Sequence, residues 1–141
     1  MSKRIFFYIN SNHISVLVRD LESNHHVKAI KIENLEEIKT YNSKFILFNL
    51  TGQMNLRERE EKLINDILEY PSKNDKLFII TPFDFESGVD LKWVKKQIQK
   101  LNKKKICFTI FELDEYAKNK RTLTLDQVFN EIEKEIADHF I

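Results

Sequence analysis

Apolar runs and helix-spaced apolar positions alternate along this chain almost from end to end. Ile5-Phe6-Phe7-Tyr8-Ile9 is long enough for a strand buried on both faces. Ile14, Leu17, Val18 and Leu21 follow at helical spacing behind Ser11 or Asn12 as a cap, although the same stretch, ISVLV, also reads as a strand. In HVKAIKI (26–32) lysine alternates with apolar residues, the pattern of a half-exposed edge strand. Asn34 to Glu37 then has the form of a capping box, opening a short helix with Leu35, Ile38 and Tyr41 inward.

The second half repeats the alternation. Phe45 to Leu50 is a strand, and Leu56, Leu63, Ile64, Ile67 and Leu68 mark a helix whose first turns, REREE, are expected to face solvent. Leu77 to Thr81 is a fourth strand halted by Pro82, and Leu91, Val94, Ile98 and Leu101 define a helix capped by Ser87 or Asp90. Ile106 to Phe111 is the fifth strand, 112–123 is loop-like, and Thr124 and Gln127 form a capping box before Val128, Phe129, Ile132 and Ile136.

Five such units predict an α/β fold: a single five-stranded parallel sheet with helices on both faces. The most apolar strands, the first, third and fourth, belong in the middle and the amphipathic second at an edge. This is the flavodoxin-like order 2-1-3-4-5 with right-handed crossovers. No repeat or composition shift divides the chain, so residues 1–141 are expected to form one domain.

Composition narrows the function classes. Two glycines and two prolines exclude a Gly-rich phosphate loop, and no Walker, dinucleotide or nucleophile-elbow motif is present. The net charge of +1 gives no global pull toward nucleic acid or membrane. A single cysteine, Cys107, excludes an internal disulfide; lying between Ile106 and Phe108, it is expected to be an inert core thiol. The N-terminal apolar run is too short for a signal peptide and no stretch approaches a membrane span, so a cytoplasmic protein is expected.

Ligands of such sheets bind beyond the carboxyl ends of the central strands. That rim is expected to carry Asn10, Ser11 and Asn12, then Asn49, Thr51 and Gly52, then Thr81 with Asp84, Glu86 and Asp90, and finally Glu112 and Asp114. Over residues 3–140 the chain resembles a response-regulator receiver domain, through the spacing of its five units and Thr81 at the end of LFIITPF. The resemblance places Asn49, in FILFNL, where the family has its phospho-acceptor aspartate, and Asn10 and Ser11, in YINSNH, where it has metal-holding acids. The family's lysine after strand five has no counterpart, because FTIFELDE offers Phe111 and Glu112. Receiver chemistry needs a carboxylate nucleophile and clustered acids for magnesium. With Asn49, Asn10 and Ser11 in those places, the resemblance implies a degenerate pseudo-receiver that takes up no phosphate.

Other constellations compete. Asp84, Glu86 and Asp90 could hold a divalent metal, but no partner acid follows strand one or three, and they also suit a solvated, helix-capping loop. His13, His25, His26 and His139 show no zinc-ligand spacing, and His25-His26 is expected at the surface. Lys92, Lys95, Lys96 and Lys100, continued by Lys103, Lys104 and Lys105, form a basic helix suited to phosphates or an acidic protein, though base-reading arginines are lacking there. Phe83 and Phe85 could anchor a partner or fold back onto the rim.

The reading these residues favour is a non-enzymatic regulatory or protein-interaction module with a protein partner or a second copy of itself, without cofactor or membrane. The receiver resemblance implies contact through the fourth helix, fifth strand and fifth helix. An alternative is a nucleotide- or phosphate-binding protein, or metal-dependent hydrolase, using Thr51, Thr81 and the acids of 84–90. A third is a nucleic-acid accessory protein using the lysine-rich helix.

Overall fold

The computed structural model describes residues 4–9, 14–38, 45–69, 76–83, 88–119 and 124–139. Five strands, β1 (Arg4–Ile9), β2 (Val27–Ile32), β3 (Phe45–Asn49), β4 (Lys76–Thr81) and β5 (Phe108–Glu112), form one sheet in the order β2-β1-β3-β4-β5. Every pairing is parallel. The flavodoxin-like α/β arrangement expected from the hydrophobic pattern is the one observed.

Alternation along the strands divides the core in two. Phe6, Leu47, Phe78, Ile80 and Phe111 point to one face, which is covered by α1 (Ser15–His25), α5 (Leu125–Asp138) and Leu113 of α4 (Leu113–Asn119). Phe7, Ile9, Ile46, Phe48, Leu77 and Ile79 point to the other. That face is covered by α2 (Arg57–Glu69), α3 (Leu91–Lys103) and a 3₁₀ turn at Leu35–Ile38. β1, β3 and β4 are apolar on both sides because both faces are roofed, whereas β2, at the edge, exposes Lys28 and Lys31.

ISVLV is helical: Leu17, Val18 and Leu21 are buried on one stripe while Ser15, Val16 and Arg19 face water. Its expected caps, Ser11 and Asn12, lie outside the described residues. Only half of the expected box forms: Glu37 Oε2 accepts from Asn34 N at 3.0 Å and Glu33 N at 2.6 Å, while Asn34 Oδ1 accepts from Glu36 N at 3.1 Å and the Glu37 N–H goes to the Asn34 carbonyl. The N–H groups of Asn34 and Glu33, both donating to it, hold the Glu37 carboxyl below the ordinary range. These bonds open only a 3₁₀ turn, and Tyr41 lies outside the described residues. At the other end of the chain, Thr124 and Gln127 form a complete capping box for α5.

Three expectations along the last third need correction. β5 begins at Phe108, not at residue 106, because α3 ends in a Schellman turn that consumes the intervening residues. Lys105 is left-handed (φ 55), Ile106 N donates to Leu101 O and Lys105 N to Asn102 O. Cys107 is consequently exposed, not a core thiol: Ile106 packs against the α2–α3 side, so alternation turns its neighbour away, at the end of an edge strand. The stretch read as loop contains α4, nucleated by burial of Leu113 and by an Asp114–Lys118 ion pair at 2.9 Å, one turn apart.

α3 also buries Gln97, 1% exposed, among Val94 and Leu101, and among the described residues its Oε1 has no hydrogen-bond partner. An unpaired buried carbonyl costs about 1–3 kcal/mol. Gln97→Met, which fills similar space without the polar atom, is therefore expected to raise the unfolding free energy by about 1 kcal/mol, read from the urea midpoint at unchanged m-value.

Candidate functional site

β3 ends on Asn49, and the chain then runs through Leu50, whose N–H donates to Ile80 O at 2.8 Å, into Thr51 and Gly52. There it meets Glu60, on the opening of α2. Glu60 lies inward, 8% exposed, contrary to the expectation that REREE faces solvent throughout. Oε2 accepts from Thr51 Oγ1 at 2.7 Å and Thr51 N at 3.0 Å, while Oε1 accepts from Gly52 N at 3.0 Å and shares Thr51 N at 3.1 Å. The Thr51 hydroxyl accepts in turn from Gln53 N at 3.2 Å.

The same loop is fastened to α3. Gly52 O accepts from Arg57 Nε at 3.1 Å and Asp90 N at 3.4 Å, and Gln53 pairs with Val89 in an isolated antiparallel bridge. Asp90 is the N-cap of α3, accepting from Lys92 N and Trp93 N, and Arg57 Nη2 stands 4.0 Å from its other carboxylate oxygen. Glu60, Thr51, Gly52, Arg57 and Asp90 thus form one polar network joining the end of β3 to the starts of α2 and α3. Gly52 is the point of closest approach: its φ is +67, and a Cβ there would lie 2.7 Å from Val94 Cγ2.

Burial raises the Glu60 carboxyl above the ordinary carboxylate range, against the opposing pull of its hydrogen bonds to Thr51 and Gly52 and the Arg59 charge. A carboxyl that binds its proton more tightly folded than unfolded makes the folded state lose stability as pH rises from the ordinary range through the raised value. Below that window its contribution is fully retained. Urea unfolding should accordingly show falling stability on the alkaline side of pH 4.5, and Glu60→Gln should remove that slope. An unchanged slope in the variant would assign it to other groups.

Of the expected rim residues, Asn10, Ser11, Asp84, Glu86 and Phe85 lie outside the described residues. Asn49, Thr51 and Thr81 are all buried, but the structure does not gather them on one side. Asn49 pairs with Ile80 and so shares its α1–α5 face; Thr81, one residue on, belongs to the α2–α3 face; Thr51 is committed to Glu60. Asp90 is occupied as a cap. Among the described residues no group of three or more His, Cys, Asp or Glu side chains could hold a metal ion. Phe83 packs against the α1–α5 side of the core. His25, expected at the surface, is half-buried, with Nε2 3.4 Å from Glu133 Oε2.

The lysine-rich helix is α3. Lys92, Lys95 and Lys96 are exposed, and Lys100 reaches Glu61 of α2 at 3.2 Å, which removes it from the free basic face. Beside Lys95, between α3 and the β5–α4 junction, lies a cleft of about 230 Å³. Sequence reasoning missed both this cleft and Glu60. The cleft has no local signal, but Glu60 did: it occupies the stripe Leu56, Glu60, Leu63, Ile64, Ile67, an apolar face interrupted by one carboxylate. No family model matches the chain, and no curated protein matches it. No described helix is long and apolar enough to cross a membrane.

Proposed function

We propose that the protein is a non-enzymatic regulatory module, a pseudo-receiver that works by binding another protein. The observation that carries this reading is that Thr51, Gly52 and Asp90 at the rim are committed to holding loops together. Where receiver chemistry would need a carboxylate nucleophile stands Asn49, and the nearby buried carboxylate of Glu60 is saturated by Thr51 and Gly52. A carboxylate enclosed by three donors is a poor nucleophile and a poor ligand for an incoming cation. The surface offered to a partner is α3, where Lys92, Lys95 and Lys96 are exposed and suit a protein presenting carboxylates.

Two measurements test this. Acetyl phosphate with magnesium should leave the protein's mass unchanged. Reversal of Lys92, Lys95 and Lys96 to Glu should abolish capture of an acidic partner from the native host while leaving the thermal midpoint within a few degrees. An added phosphate would return the rim to catalysis. Tight binding of RNA or DNA, falling steeply with salt and lost in the same variant, would instead make the chain a nucleic-acid accessory protein.

A further inference from the structure

The cleft between α3 and the β5–α4 junction has a composition that the partner-binding reading does not use. Its floor is apolar, formed by Leu91, Val94 and Ile98 of α3 and Ile110 of β5. Thr81 also lines it, 5% exposed, and among the described residues nothing hydrogen-bonds its hydroxyl. A hydroxyl in the lining of a cleft, without a protein partner among the described residues, is free to bond a group that enters it.

The charges at the mouth define what enters. Glu112, Asp114 and Glu115 stand on one side and Lys95 on the other. Asp114 is neutralised by Lys118 at 2.9 Å. Glu112, Glu115 and Lys95 form no ion pair among the described residues, so two free carboxylates face one free ammonium. Among the described lining residues the mouth is therefore negative by one charge above an apolar floor. The volume of about 230 Å³ falls below the roughly 300–1,000 Å³ typical of drug-sized ligands and suits a body of about ten non-hydrogen atoms.

We propose that this cleft is a binding site for a small apolar amine: a compact aromatic or branched hydrocarbon body against Leu91, Val94, Ile98 and Ile110, with its cationic head held by Glu112 and Glu115 and a donor reaching the Thr81 hydroxyl. The site adjoins the partner surface proposed above at Lys95, but its ligand contacts are the floor of α3 and the acids of the β5–α4 junction.

Phenethylamine is the probe. Titrated into ¹⁵N-labelled full-length protein, it should give saturable amide shifts centred on Val94, Ile98, Ile110 and Glu112, with a dissociation constant on the order of 1 mM. Replacing both Glu112→Gln and Glu115→Gln, exposed changes that leave the core intact, should weaken binding about tenfold or more. Thr81→Val should weaken it by about threefold. The anion 3-phenylpropionate, which carries the same phenethyl body, should produce no saturable shifts. Equal binding of the anion, unchanged affinity in the double variant, or shifts that never saturate would overturn the proposal. Partner capture measured on the same Gln variant keeps the two readings separate, since loss of amine binding alone leaves the α3 lysines in place.

Discussion

Glu60→Ala is expected to lower the unfolding free energy by about 2–4 kcal/mol, the largest effect of any single polar truncation at the rim. Removing the carboxylate leaves Thr51 N, Thr51 Oγ1 and Gly52 N without their acceptor in a region where Thr51 and Gly52 are themselves buried. Each such donor left dry costs about 1–3 kcal/mol, and water entering the vacated space recovers part of the total. Relief of the carboxylate's own burial, the cause of its raised pKa, offsets a further part. Glu60→Gln keeps one acceptor oxygen and should cost about 1–2 kcal/mol. Chemical denaturation at constant m-value reads both. A loss below about 0.5 kcal/mol for the Ala variant would mean that the loop is held by its apolar neighbours and the network contributes nothing net.

Gly52→Ala is expected to cost a similar amount, about 2–4 kcal/mol, for a different reason. A left-handed φ of +67 is unfavourable for alanine by about 1–2 kcal/mol. The added Cβ would meet Val94 Cγ2 at 2.7 Å and Asp90 O at 3.3 Å. Val94 is 2% exposed and packed beneath α3, while the second obstacle is backbone, so relief requires α3 to move outward. Overpacking of this kind costs about 1–3 kcal/mol. Because Gly52 N donates directly to Glu60, the two substitutions should not add. The Glu60→Ala, Gly52→Ala double variant should fall short of the sum by about 1 kcal/mol or more, since either change alone already detaches the loop. Strict additivity would show the two residues acting independently.

The order of the sheet was legible because burial is a local property of each strand. A strand roofed on both faces must be apolar at every position, as Phe45 to Phe48 and Leu77 to Ile80 are, and an edge strand need not be, as Lys28 and Lys31 show. The helices covering the two faces were legible from their spacing, and so was the cap Thr124 from its distance to Gln127, whereas residue type left Ser87 and Asp90 as alternatives for α3, of which Asp90 is the cap. β5 was read two residues early because Ile106-Cys107 is as apolar as the strand it precedes. Only the left-handed Lys105 and the bonds back to Leu101 and Asn102 decide that these residues close a helix.

The site divides in the same way. Sequence alone determined that Asn49 stands at the end of a central strand, with Thr51 and Gly52 beyond it, since these places follow from strand length. It did not determine which side chains meet. That Asn49 and Thr81 lie on opposite faces depends on the register between β3 and β4. That Glu60 turns into the loop of β3, and that α3 and the β5–α4 junction leave a cleft between Lys95 and the acids, depends on how separate elements pack. Hydrophobic periodicity records which face of an element is buried, but a carboxylate on that face is stable only if another segment supplies its donors. Those donors, Thr51 and Gly52, belong to a different loop, so the partnership exists only once the chain has folded.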